Sequence, residues 1–367
     1  MTYPLLLHAK HRGTDVTYAP FGPWTVPWRF DTLEEEYEAL RTRVGLIDFS
    51  TQAVIEVAGK DRISFLHSLL TNDITRLAPG SGCSAALLDP NARLIAELLV
   101  IAEAEVIWLL CEATRAEVVT RTLERYVFSE QVTVINLERR DAVLAFQGPR
   151  TLAALSRLIG EGGTLRHPGD HVTRTVHDVP LRLIRHRLAG EEGVLCLVPA
   201  ALAHHAWELF AHDDTHVGLR LVGWEALNTV RIEAGIPWYG IDMNESNLLP
   251  ETGLEAEVVS HTKGCYVGQE IVARMQTYGS ANKKLVGLVF EGEEVPTLGD
   301  LLMDGEKEVG HITSACYSPR LQRAVGMGYV KRGFYEPGTH LELLRWAMRV
   351  PVVVVPRPPL ANPAQHP

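Results

Sequence analysis

Apolar and polar positions follow one rhythm over most of this chain and a different one after about residue 280. Before that point helices and strands are predicted in turn. Leu33 to Val44 (LEEEYEALRTRV) reads as a helix, with acids early and arginines late, a bias that complements the helix dipole. Gln52 to Val57 reads as a strand. Lys60 to Leu70 reads as an amphipathic helix with Ile63, Leu66, Leu69 and Leu70 on one face. The runs LIAELLVI and EVIWLLCEA flank AEAE and predict an antiparallel hairpin. VLAFQGPRTLAALSRLIG is a strand followed by a helix, with Pro149 at its first position, and another helix runs from Trp224 through Arg231 to Ala234. After Gly279 come short runs punctuated by Gly and Pro: KKLVGLVF, VGHITSACY, AVGMGYV, HLELL and VPVVVV. Their spacing predicts a small β-barrel or sandwich, and the end, PRPPLANPAQHP, is expected to be disordered.

Composition narrows the class. A chain of 367 residues, 46% apolar and 22% charged, has room for two or three domains with their own cores and is too apolar to be disordered. Its 35 basic and 45 acidic residues leave −10, distributed as −11 over residues 1–280 and +1 from Ala281 onward. A polyanion-binding surface needs clustered cations, and no run interleaves them with aromatics. Lys283-Lys284 and Lys331-Arg332 are too short, so direct nucleic-acid binding is not expected. The N-terminus lacks a secretory pattern, and the most apolar stretch, Leu94 to Leu110, carries Glu97, Glu103 and Glu105, which argues against a membrane helix. Five cysteines, Cys83, Cys111, Cys196, Cys265 and Cys316, form no CxxC pair and suit a reducing cytoplasm. His204, His205, His212 and His216 include a helical i,i+4 pair but no third ligand, so no metal site is expected; His167, His171 and His177 read as loop residues.

One segment stands out chemically: Arg231-Ile-Glu-Ala-Gly-Ile-Pro237, then Tyr239-Gly240, then Lys263-Gly-Cys-Tyr-Val-Gly-Gln-Glu270. Gly264 permits a sharp turn, and Gly268 opens a helix, QEIVARMQ. Cys265 then lies just before a helix start and two residues after Lys263. Both neighbours favour a thiolate. A small buried cysteine in a tight turn fits the same residues, and the residues alone leave both readings open.

KGCYVGQE resembles the motif of the YgfZ-type branch of the glycine-cleavage T-protein superfamily. FGPWTVPWRF with GLIDFS, FLHSLLTNDI with LAPGSG, LAFQGPRTLAAL, RIEAGIPWYGID with LLPETGLE, and GHITSACYSPRLQRAVGMGYV follow in the superfamily's order, from about Phe21 to Val355. The resemblance implies an α+β, three-domain cloverleaf around a central channel holding tetrahydrofolate, closed by a C-terminal β-barrel. Residues 1–280 would form two interleaved folate-binding domains, 281–356 the barrel and 357–367 a disordered tail. In addition to Cys265 and Lys263, the residues that fall on the family's motifs are Asn72, Asp73, Glu191, Arg231, Glu233, Tyr239, Gly264, Tyr266, Gly268, Gln269 and Glu270. Arg231 and Glu233 read equally well as ligand contacts or as charges holding a domain junction, and Tyr278 and Lys283 as channel lining or solvated linker.

The superfamily holds aminomethyltransferases and also YgfZ-like proteins, which bind folate and support iron–sulfur proteins, including those that modify tRNA. Aminomethyltransferases resemble this chain at Asn91 to Glu97 but carry an Asp-Asp pair where it has Ala96-Glu97. A base must reach its proton, so a lone and longer carboxylate is a departure. In Leu188-Ala-Gly-Glu-Glu-Gly-Val-Leu195 the family's final carboxylate is Leu195, and an expected arginine is Leu227. Both departures favour a folate-binding accessory protein, expected to be monomeric, with Cys265 as its functional thiol. The alternative is a divergent tetrahydrofolate-dependent aminomethyltransferase using Glu97.

Overall fold

In the computed structural model the described residues are 2–9, 11, 15–159, 165–211, 219–278, 281–345 and 348–358. They fall into two compact units, Met1–Leu227 with Ala256–Gln269, and Asn228–Glu255 with Glu270–Pro367.

The first unit is built on two large sheets. Strand Val44–Asp48 opens a six-stranded sheet, and the chain then leaves to build the whole of a five-stranded one before returning with Asp141–Gln147. The five-stranded sheet runs Gly82–Leu88, Leu94–Ala102, Val106–Glu112, Gln52–Ala58, Thr133–Asn136, all antiparallel. The expected hairpin is there, Leu94–Ala102 against Val106–Glu112. Alternate residues Ala96, Leu98 and Val100 enter the core beside Phe65, Leu66 and Leu69 of the helix Arg62–Leu69, while Leu99 and Ile101 between them are buried as well. Ile63, expected on that buried face, is 38% exposed instead. A 3.6-residue period that centres on Phe65, Leu66 and Leu69 turns position 63 outward. The six-stranded sheet packs Leu46, Leu144, Phe146, Val194 and Cys196 against Trp207 and Phe210 of the helix Ala203–Ala211. His171, read as a loop residue, opens the strand His171–Val176 and is buried. Pro149 precedes rather than starts its helix, which begins at Thr151.

At the end of the strand Val44–Asp48, Asp48 lies beside His11, both buried, with Nε2 and Oδ2 3.7 Å apart. An ion pair would raise the imidazole and lower the carboxyl, but burial does the reverse and prevails. Burial, then His8, takes His11 from 6.5 down to about 4; burial takes Asp48 from 3.8 up to about 6, against the hydrogen bonds from Ser50. Asp48 therefore withdraws stability as pH rises through 6, and His11 withdraws it as pH falls from 6.5 through 4. The two slopes oppose each other in between. Asp48→Asn leaves only the histidine slope, so urea unfolding should show stability dropping on acidification to pH 4 by on the order of 2–3 kcal/mol more than in the wild type. Equal slopes in the two proteins would disprove the assignment.

The second unit centres on a closed six-stranded barrel, in order Lys283–Phe290, Arg323–Lys331, Lys307–Ser318, Leu301–Asp304, His340–Arg345, Met348–Val355. This is the barrel expected from the change of rhythm. Leu288, Phe290, Ile312, Val330 and Val354 fill it, while Leu285, Met327, Tyr329 and Val355 face outward onto Ile232. The register slips at Thr313, so that Thr313 and Ser314 both reach Asp242, at 2.7 and 2.6 Å. A bulge is what lets two successive residues serve one partner. Arg357 donates to the Thr252 and Gly253 carbonyls, at 2.5 and 2.9 Å. The same arginine explains the RIEAG glycine: a Cβ on Gly235 would stand 2.5 Å from the Arg357 Cγ, and its φ is +65°. Of the tail 357–367 expected to be disordered, Arg357 is held by its bonds to Thr252 and Gly253, and residues 359–367 lie outside the described residues.

Candidate functional site

The KGCYVGQE loop is fastened at both ends and open in the middle. On its upstream side Thr71, fully buried, donates to the Val258 carbonyl at 2.5 Å and accepts from the Ala86 amide at 2.8 Å. The Ser260 amide returns a bond to the Thr71 carbonyl at 3.1 Å. Lys263 continues this seam. Its ammonium donates to the carbonyls of His67, Leu70 (2.5 Å) and Asn72 (3.2 Å), the open end of the helix Arg62–Leu69. A helix leaves its last carbonyls unpaired, so a cation there is favoured both as donor and against the dipole. Burial lowers Lys263 to about 8, opposed by the charge of Asp73.

On the downstream side Tyr266 is buried, its ring 5.2 Å from the Lys263 ammonium, and burial raises its phenol. Gly268 has φ +83°, and a Cβ there would lie 2.8 Å from the Asp89 carbonyl oxygen and 3.2 Å from the Ala92 Cα. The loop thus docks backbone to backbone on the tip of a second hairpin, the Asp89–Arg93 turn between strands Gly82–Leu88 and Leu94–Ala102, the strand that carries Glu97. Between these fastenings Gly264 and Cys265 are exposed, and a Cβ on Gly264 would meet nothing within 4 Å. Of the five cysteines Cys265 is the exposed one; Cys83 is half-buried and Cys111, Cys196 and Cys316 are buried. The small-buried-cysteine reading of Cys265 is excluded by that exposure.

Asn72 and Asp73 belong to the same cluster. The Asn72 side chain donates to the Ser84 carbonyl at 2.8 Å and accepts from the Asp73 amide at 2.8 Å. Hydrogen bonds from Thr75 hold the Asp73 carboxyl below its ordinary value, with His67 at 3.3 Å and Arg76 at 3.0 Å beside it. Cys83 on the neighbouring strand completes the group; burial pushes its thiol up to about 12, with Asp73 adding and Lys263 opposing. In the sequence Thr71 is signalled only as the residue before Asn72 in LLTNDI, and Cys83 carries no local signal.

The other candidates sit elsewhere. Glu97 is on the face of its strand opposite the core, partly exposed, while Ala96 is 1% exposed inside the core. Glu191 accepts from Arg41 at 3.3 Å. Leu195 is 2% exposed and Leu227 fully buried, so apolar packing occupies both positions. Arg231, in the other unit, is 1% exposed and donates to Asn228, Ile236, Asp242 and Ser314. Glu233 is wholly buried and accepts from the Ser318 hydroxyl. Of the two readings left open for Arg231 and Glu233, their burial and protein partners favour structural charges, inside one unit rather than at an exposed junction. The Tyr239 hydroxyl donates to Glu245 at 3.2 Å, Gln269 and Glu270 open the helix Gln269–Tyr278, and Lys283 lies 3.9 Å from Glu251. Among the described residues no group of three or more His, Cys, Asp or Glu could hold a metal ion, and no helix is long and apolar enough to cross a membrane. His204 pairs with Glu208 at 3.1 Å; His212 and His216 lie outside the described residues.

Residues 7–262 match the family described as GCVT N-terminal domain, and residues 283–360 match the glycine cleavage T-protein C-terminal barrel domain. The chain belongs to the glycine cleavage T-protein family. T-protein relatives include the aminomethyltransferase of Bacillus cereus strain B4264, 28% identical over 354 residues, covering 96% of this chain and 95% of that protein. The aminomethyltransferase of Bacillus anthracis is also 28% identical, over 357 residues, with the same coverage. The crystal structure of glycine cleavage system aminomethyltransferase T from Bartonella henselae superposes with a TM-score of 0.87 at 24% identity over 98% of each chain, a likeness of fold.

Proposed function

We propose that this T-protein family member is a folate-binding accessory protein of the YgfZ type. It supports iron–sulfur cluster assembly or repair and, through iron–sulfur enzymes, tRNA modification. The observation that carries this reading is the exposed Cys265 on a loop fastened at both ends. Solvent access is what a thiol needs to meet a partner protein or a ligand. The core position of Ala96 and the burial of Leu195 and Leu227 support it further, because they leave Glu97 as the one carboxylate of the expected pair and give no charged couple to read a pterin. An unpaired buried donor on such a ligand costs roughly 1–3 kcal/mol, so folate would be held by other contacts here. The three-domain cloverleaf, its channel and the domain limits 1–280 and 281–356 belong to this proposal. The test is complementation of a bacterial strain lacking its own YgfZ-like protein. Wild type should restore iron–sulfur enzyme activity and Cys265→Ala should not; full restoration by the alanine protein would sink the thiol reading.

The second reading is a divergent aminomethyltransferase. It is favoured by the relatives of that name along 96% of the chain and by the partial exposure of Glu97. Tetrahydrofolate-dependent ammonia release from an aminomethylated lipoyl carrier protein, abolished in Glu97→Gln, would establish it.

A further inference from the structure

We propose that Lys263 is a positioning residue that latches the Cys265 loop to the helix Arg62–Leu69 and the turn after it, and is not the thiol's electrostatic activator. This rests on Cys265 being the functional thiol. Sequence adjacency suggests activation, since Lys263 is two residues from the sulfur. The geometry points elsewhere. The three protons of the ammonium meet three carbonyls, those of His67, Leu70 and Asn72. Its ring neighbour is Tyr266, and the charged or titratable groups that bear on it are Asp73, His67 and Cys83. Tyr266 belongs to the docked downstream arm of the loop, and the other three belong to the surface on which the loop docks.

Thr71 and Ser260 make the same crossing beside Lys263, so residues 258–263 are sewn to residues 67–72 along one line. Gly268 on the hairpin tip supplies the second hold. A loop of this length held at both ends keeps its exposed middle in one place; freeing one end lets it swing. The lysine thereby fixes where the thiol is presented. The same ammonium ties the Cys265 loop to the Asn72–Asp73 turn, through its bond to the Asn72 carbonyl.

Peptide-resolved mass spectrometry of iodoacetamide alkylation at Cys265, followed from pH 6 to 10, separates latch from activator. Removing an activating charge displaces the midpoint of the pH profile; removing a latch changes the limiting rate and the mobility of the backbone. In Lys263→Met the midpoint should stay within about 0.3 pH units of wild type. The limiting rate should change by about threefold or more, and amide exchange over residues 260–268 should quicken by about tenfold. Exchange in the strands Gly82–Leu88 and Leu94–Ala102 should be unaltered. Lys263→Arg, which keeps charge and donors, should bring the limiting rate and exchange back toward wild type. If the Met protein loses the fold, Lys263→Gln is measured in its place. A midpoint raised by a unit or more with unchanged exchange overturns the latch in favour of activation, and no change in any quantity overturns both roles. The alkylation result stands whether or not Cys265→Ala complements, so the two readings fail separately.

Discussion

Arg231→Met should destabilise the second unit by about 3–5 kcal/mol, the range observed when one partner of a buried ion pair is removed. The arginine is 1% exposed, and Asp242, its partner at 2.5 Å, is 2% exposed. Methionine fills much of the same volume, so the loss reports the stranded charge more than a cavity. Asp242 would retain the hydroxyls of Thr313 and Ser314 and the Trp238 amide at 3.0 Å. Those three neutral donors do not replace a cation. Ser314 would also lose the Arg231 guanidinium as its donor. The double variant Arg231→Met with Asp242→Leu removes both charges and should recover part of the loss. Urea or thermal unfolding measures each case. If the single variant unfolds like the wild type, the pair contributes nothing net.

Gly268→Ala is the second large effect, and it acts at the candidate site. At φ +83° an alanine pays backbone strain of about 1–3 kcal/mol. Its Cβ would also press to 2.8 Å against a backbone oxygen, that of Asp89, which has no rotamer to turn away. The loop must lift from the hairpin tip to relieve this. Limited proteolysis between His261 and Gly268 should then accelerate, together with a fall in melting temperature. Gly264→Ala is the matched control: nothing stands within 4 Å of its Cβ, so the melting temperature should hardly move. Equal behaviour of the two variants would refute the docking of the loop on the hairpin.

Much of the fold was legible because its signals are local. The hairpin Leu94–Ala102 with Val106–Glu112 and the barrel strands announce themselves by alternation and turn residues within ten positions of one another. Ile63 shows the limit: a helix of eight residues carries too few turns for periodicity alone to choose which flank is buried. The candidate site was legible as a motif but not as a geometry. The carbonyls that receive Lys263 lie 191 to 196 residues away in sequence, and Ser314 lies 83 residues from Arg231. No spacing rule links groups that far apart. Arg231 looked as suited to a ligand as to a structural role because a guanidinium serves both, and only its burial separates them. For Cys265 the undecided quantity was exposure, which depends on how a turn docks and not on which residues compose it.

Neither unit is a continuous stretch of chain, and this dictates an order of assembly. A ribosome delivers residues 1–227 first, yet the first unit also needs residues 256–269, which bring Val258, Ser260 and Lys263 to the waiting Thr71 and helix end. Its seam therefore stays open while the opening segment of the second unit, Asn228–Glu255, is being synthesised. That segment waits in turn for Arg357, 104 and 105 residues further along, to reach the carbonyls of Gly253 and Thr252. Each half is thus completed by residues made after the other has begun. The Cys265 loop is set in place late, once the sheets beneath it exist.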